Sequence, residues 1–180
     1  MTGANMISVG TPIPNLDLLD SSGRPQRLRD QLGAGGLLVF FMRTASCPIC
    51  NAHVRDLERH ADELAARGVR VLLVVPERPD EAEAWRLRRG IPFPVVTGGS
   101  GTAHEEVGLT RRVFGVMRQS GTLLIDGTGI VQYALGSTLP TGAYDRTAIM
   151  RAVEALSPVD PMPDVDRETE ERAPAAGSDS

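Results

Sequence analysis

The sequence predicts an α/β fold, a central mixed sheet flanked by helices, and three observations predict it. Leu37 to Met42 is an unbroken apolar run of strand length, the pattern of a strand buried on both faces. Val69 to Val75 is a second such run, and between the two Val54, Leu57, Ala61, Leu64 and Ala65 recur at helical spacing. Strand, helix and strand of this length make a βαβ unit with a parallel pair. Thr122 to Asp126 and Ile130 to Leu135 flank Gly127-Thr128-Gly129, a hairpin signal that adds antiparallel strands.

Pro12 to Asp20 reads as an extended entry segment, and Asp20-Ser21-Ser22-Gly23 as a turn. Arg27 to Leu32 is a short helix stopped by Gly33. The helix that opens at Cys47 runs to about Arg67, where Gly68 is a natural stop. Asp80 to Arg89 is the next helix, with Trp85 as a core anchor. Phe93 to Thr97 is a short strand whose prolines mark it as an edge, followed by a loop from Gly98 to Gly101. Thr102 to Arg112 is a weaker helix. Thr141 to Leu156 is the final one, with Ala148, Ile149, Ala152, Val153 and Leu156 on its apolar face. Residues 1–156 form one domain, and 157–180, rich in Pro, Ala, Asp and Glu, form a disordered acidic tail.

Composition removes several function classes. The chain has no lysine: all 19 basic residues are Arg, which excludes a Schiff-base lysine and a phosphate-loop lysine. Of the net charge of −4, the tail carries −5 (seven acidic residues, two Arg), so the body is near +1. A nearly neutral body without a basic stripe gives no reason to expect nucleic acid. No apolar run approaches the roughly 20 residues of a membrane span. Met1 to Gly10 has no signal-peptide pattern, so the expected location is cytoplasmic. Thiols are kept reduced there, which favours a catalytic cysteine pair over a structural one.

The chemistry lies where the first strand meets its helix. Arg43 to Ser46 is a short polar turn, and Cys47-Pro48-Ile49-Cys50 opens the helix, with Pro48 in the first turn, where proline is tolerated best. Cys47 therefore sits at a helix N-terminus, where backbone N–H groups and the helix dipole favour the thiolate. Cys50 lies one turn deeper on the same face. An exposed thiolate with a second thiol behind it suits two-electron redox chemistry. Two other readings stay open: half of a zinc site completed from His53, His60 and His104, or two inert core cysteines.

The order of elements and several local motifs resemble the thioredoxin-like fold with the N-terminal extension of the peroxiredoxin and alkyl-hydroperoxide-reductase group, over Val9 to Leu156. Thr44-x-x-Cys47 resembles that family's Thr and peroxidatic Cys, and Cys47-Pro48 follows in the familiar way. Phe93-Pro94-Val95 resembles its Phe-Pro-Leu strand, and Thr122 to Gly129 its hairpin. Three positions depart from the pattern. Phe40 stands where the motif has Pro. The family's second catalytic Arg falls by spacing on Ser120, the nearest Arg being Arg118. Gly121 stands where thioredoxins carry a cis-Pro.

The resemblance implies a thiol peroxidase for hydrogen peroxide or organic hydroperoxides. Cys47 becomes a sulfenic acid and Cys50 resolves it to a disulfide. Thr44 hydrogen-bonds the thiolate or the peroxide, and Arg43 or Arg118 supplies the positive charge. It implies no cofactor and no metal, an external thiol or dithiol reductant of thioredoxin type, and a possible homodimer. The alternatives are a thiol–disulfide oxidoreductase acting on protein or small-molecule disulfides, and a non-catalytic thioredoxin-like binding or zinc module. His53 reads as structural rather than as a proton relay.

Limited proteolysis is expected to trim the chain after Ser157 and leave the activity intact, because that composition cannot offset the entropy of ordering. Loss of folding on truncation near Pro158 would contradict the assignment of the tail.

Overall fold

The computed structural model describes residues 6–99, 103–112 and 117–156. In chain order the elements are β1 (Asp17–Leu19), β2 (Pro25–Arg27), a 3-10 turn (Leu28–Gln31), β3 (Gly36–Phe41), α1 (Pro48–Arg59), α2 (Ala61–Ala66), β4 (Val69–Val75), α3 (Pro79–Arg89), β5 (Val95–Gly98), α4 (Ala103–Glu106), β6 (Arg111–Arg112), β7 (Met117–Arg118), β8 (Ser120–Ile125), β9 (Val131–Ser137), a second 3-10 turn (Pro140–Gly142) and α5 (Arg146–Glu154). Seven strands form a mixed sheet in the order β2-β1-β5-β4-β3-β8-β9, and β6 pairs with β7 in a separate ribbon. The pairs β3–β4 and β4–β5 are parallel, and β3–β8, β8–β9, β1–β5 and β1–β2 are antiparallel.

The apolar runs lie mid-sheet because both of their faces are covered. Leu38, Phe40, Leu73, Val75 and Leu124 pack with Val54 and Leu57 of α1, Trp85 of α3, and Ile149 and Val153 of α5. The alternate residues, Leu37, Val39, Phe41, Leu72, Val74 and Leu123, pack against Leu16, Leu18 and Leu28 of the N-terminal segment and against Val107 and Leu109. The period of 2 along a strand assigns neighbouring residues to these opposite layers, so neither position tolerates polarity. The N-terminal segment and the region around Val107 and Leu109 thus cover this face of the sheet together.

Four element assignments need correction. The helix expected through Arg67 divides at His60, whose Nδ1 lies 2.8 Å from the Asp56 carbonyl, the acceptor that the His60 N–H would use in an α-helix. That N–H goes instead to Leu57 O, and the chain restarts as α2. The expected edge strand β5 lies between β1 and β4. Its prolines, Pro92 and Pro94, precede the paired residues, and Pro94 serves only as an acceptor, from Leu73 N at 3.0 Å. The helix expected over Thr102 to Arg112 ends at Glu106. Gly108 takes a left-handed conformation (φ 85°), and Arg111 and Arg112 then enter β6. The final helix starts after Asp145, whose carboxylate accepts from Ala148 N at 3.0 Å and caps it. The acidic tail, 157–180, lies outside the described residues.

Gly36 enters β3 at φ 132°, and a Cβ there would lie 2.2 Å from the Ile125 carbonyl oxygen. Gly36→Ala should lower the unfolding free energy by about 2–3 kcal/mol, as strained positions of this kind do. Chemical denaturation measures it, and a loss under about 0.5 kcal/mol, the scatter of ordinary surface substitutions, would contradict the close approach.

Candidate active site

The site is built where β3 hands the chain to α1. Met42 N bonds Val74 O at 2.9 Å, which carries the parallel ladder one residue past β3. The chain then turns through Arg43 to Ser46, and Cys47 becomes the N-cap of α1 with extended backbone (φ −65°, ψ 115°). Its Sγ accepts a hydrogen bond from Cys50 N at 3.3 Å, and its carbonyl accepts from Asn51 N at 3.0 Å. Pro48 occupies the first helical position, where a missing N–H leaves no partner wanting. The half-buried Cys47 sulfur therefore does what Ser or Asp does at other helices: it takes up an orphan N–H. A thiolate accepts that bond better than a thiol.

Cys50 is the opposite environment. It is fully buried in the layer beneath α1. Burial, and then its hydrogen bond to Cys47, push its thiol up to about 12, while a backbone hydrogen bond and the charge of Arg43 pull the other way. The two sulfurs thus differ in environment before any reagent arrives: Cys47 faces the rim, and Cys50 stays a thiol at neutral pH.

The structure brings Arg43, Thr44, Cys47 and Cys50 together at the C-terminal end of β3. The Arg43 guanidinium donates from Nη2 to Thr138 O, and its Nε is buried with no partner among the described residues. The Thr44 hydroxyl lies 2.9 Å from that of Ser46. Arg118 sits on β7, and its charge acts on His104. The next residue, Gln119, donates to the Thr138 hydroxyl at 2.9 Å, so Thr138 joins the Arg118 strand to the residue that holds Arg43. Ser120 is fully buried on β8 opposite Ser137, a position that leaves no room for an arginine. Gly121 pairs with Phe41, and a Cβ there would meet the Leu135 carbonyl at 2.8 Å. His53 stacks on Tyr144 (centroids 4.8 Å apart) with Nε2 3.2 Å from Pro140 O, a packing role. Among the described residues no three His, Cys, Asp or Glu side chains gather as a metal ion would need, and His104 points to Met42 O.

Four residues hold the loop: Glu77, Asn51 and Thr138, which the sequence did not single out, and His104, which it offered only as a zinc ligand. His104, buried on α4, places Nε2 2.8 Å from the Met42 carbonyl. Glu77, just past β4, accepts from Ala45 N at 2.7 Å. Asn51 donates from Nδ2 to Ala45 O at 2.8 Å and Cys47 O at 2.7 Å. Thr138 takes Arg43. The available signals were weak: an Asn inside a helix, where its propensity is poor, and a Glu at the carboxyl end of a parallel strand, where α/β sites lie.

The family model for AhpC/TSA matches residues 9–134. The chain belongs to the AhpC/TSA family. It is a peroxiredoxin-like thiol oxidoreductase of thioredoxin fold. Peroxiredoxin bcp1 of Schizosaccharomyces pombe is 25% identical over 123 residues, covering 68% of this chain and 63% of that protein. Thiol-disulfide oxidoreductase ResA of Geobacillus thermodenitrificans is 27% identical over 158 residues, covering 87% of this chain and 83% of that protein. Among solved structures, peroxidoxin BcpB from Mycobacterium tuberculosis superimposes with a TM-score of 0.71 at 21% identity, covering 83% of this chain and 98% of that one, which shows the shared fold.

Two predictions follow from the burial of these groups. Iodoacetamide at pH 7–8 should label Cys47 and spare Cys50, read by peptide mass spectrometry, because a thiol held near 12 has almost no thiolate there. Faster labelling of Cys50 would contradict the assignment. Burial first, and the charge of Arg118 with it, hold the His104 imidazole down to about 4 from 6.5, against the pull of the Met42 carbonyl. The folded state therefore binds this proton less readily than the unfolded chain, so the contribution is whole above pH 6.5 and is lost as pH falls toward 4. His104→Gln should flatten the decline of unfolding free energy across that window; an unchanged slope would contradict it.

Proposed function

We propose that this protein is a thiol-dependent peroxidase in which Cys47 attacks hydrogen peroxide or an organic hydroperoxide and Cys50 resolves the product. The observation that carries the assignment is the asymmetry of the pair: a helix-capping sulfur at the rim and a buried, protonated thiol behind it. The Cys47 thiolate attacks the terminal peroxide oxygen. The oxygen–oxygen bond breaks, a proton is delivered to the departing oxygen, and water or an alcohol leaves. Cys47 is then a sulfenic acid. The Cys50 sulfur attacks it, the S–O bond breaks, and water departs with the Cys50 proton, leaving an intramolecular disulfide. An external dithiol returns two electrons and two protons by exchange through a mixed disulfide.

The AhpC/TSA match, Thr44 in the loop and Arg43 beside Cys50 support peroxide as the substrate. Negative charge builds on the leaving oxygen, and a hydroxyl and a guanidinium oppose it. The reductant in this reading is of thioredoxin type. A cytoplasmic location and pairing with a second copy belong to the proposal by analogy with the family. No helix among the described residues is long and apolar enough to cross a membrane. The second reading, a thiol–disulfide oxidoreductase, is favoured by the two-cysteine site and by the likeness to ResA.

The two readings separate on substrate. Arg43→Ala and Thr44→Val should each slow the reaction of Cys47 with hydrogen peroxide about 100-fold, the order of losing one charge-stabilising donor, and its reaction with a small disulfide much less. Stopped-flow rates on both substrates check this; equal slowing would mean that the two residues act only on the thiol. Cys50→Ser should trap a sulfenic acid or a mixed disulfide on Cys47. Oxidised protein linked mainly between chains would contradict the roles given to the pair.

A further inference from the structure

The active-site loop is held from behind by an amide that the redox chemistry does not use. Asn51 is only 7% exposed, one residue past Cys50. Its Nδ2 spans two carbonyls, Ala45 O at 2.8 Å and Cys47 O at 2.7 Å, on either side of Ser46. Its Oδ1 accepts from the Trp85 indole N–H at 3.2 Å. Trp85 is the only tryptophan of the chain, it lies on α3, and it is itself buried. An amide can sit either way round, and the two faces of this site differ. The indole only donates, so it fixes the oxygen on its own side and turns both N–H donors toward the loop.

We propose that Asn51, oriented by Trp85, is a positioning residue for Cys47. By drawing the Ala45 and Cys47 carbonyls to itself, it turns their negative ends away from the sulfur. The N-cap conformation then holds Sγ under the Cys50 N–H. Glu77, which accepts from Ala45 N, holds the same residue by its other backbone group. The loop is thereby fixed before peroxide arrives, and the helix keeps its own bond from Asn51 N to Cys47 O whatever the side chain is. This inference rests on the peroxidase reading for its substrate and not for its geometry.

Asn51→Asp tests it without changing shape. The carboxylate still accepts from Trp85 but faces two carbonyls with no donor. At neutral pH the rate at which reduced protein loses two hydrogens to hydrogen peroxide should fall about 10- to 100-fold, the usual cost of misplacing a reacting atom. The ratio of variant to unsubstituted rate should then rise as pH is lowered from about 8 to about 5, where a buried carboxyl regains its proton and can donate again. Trp85→Phe removes the orienting donor from the far side and should slow the same reaction by a smaller factor; it also carries the test if the Asp variant does not fold. Rates are taken well below each variant's thermal midpoint. A lowered midpoint with an unchanged rate, or a ratio flat across pH, would make Asn51 merely structural and overturn the proposal. The unsubstituted protein reports on the peroxidase reading separately. If its peroxide rate does not exceed that of free cysteine, that reading fails, and the same variants are compared on a small aromatic disulfide that reacts with the same sulfur. Equal rates there would overturn the positioning role.

Discussion

The Cys47 sulfur caps its own helix. One hydrogen bond, Cys50 N–H to Cys47 Sγ at 3.3 Å, ties secondary structure to redox chemistry. It requires a helix that begins at Pro48, a chain that arrives extended, and a strand end that holds still. Each of these has a visible source. Pro48 presets the backbone of the first turn and gives up an N–H that would have had no partner. β3 is held by β4 on one side and β8 on the other, and by apolar layers above and below.

The same geometry separates the two thiols. They are three residues apart in the chain, yet one lies at the rim, where it accepts the Cys50 N–H, and the other lies in the core. Desolvation disfavours a charged sulfur in the core. In the proposed reaction this difference orders the pair into an attacking and a resolving member. In that proposal arginine supplies the positive charge, and Arg43 is anchored through Thr138, which in turn binds Gln119, next to Arg118. The clamp of His104, Glu77, Asn51 and Trp85 leaves the loop little freedom. That suits a resolving thiol that sits on the same helix as the attacking one.

Much of this was legible in the sequence because it rests on local rules. Continuous apolar runs gave β3 and β4 their place in mid-sheet, and Cys-Pro-x-Cys at a strand-to-helix junction marked the N-cap sulfur. The errors came from contacts with no local signature. The division at His60 depends on one ring nitrogen taking a carbonyl from its own helix. The interior position of β5 depends on β1, a strand of three residues, reaching over to pair with it. Ser120 and Gly121 stand where the family resemblance led one to expect an arginine and a cis-proline, and the reason is tertiary: one is fully buried opposite Ser137, and a Cβ on the other would strike the Leu135 carbonyl. Asn51 and Glu77 escaped notice because a loop clamp is drawn from elements far apart in the chain, and spacing carries no record of it.

The central claim is that the Cys47 environment accelerates attack on a peroxide bond beyond what thiolate content alone provides. The direct measurement is the second-order rate constant of reduced protein with hydrogen peroxide, followed by the fluorescence of Trp85, whose indole bonds Asn51 beside the loop. The account predicts a constant at least about a hundredfold above that of free cysteine thiolate, the contribution expected of aligned donors. A constant equal to that of free cysteine thiolate would contradict it.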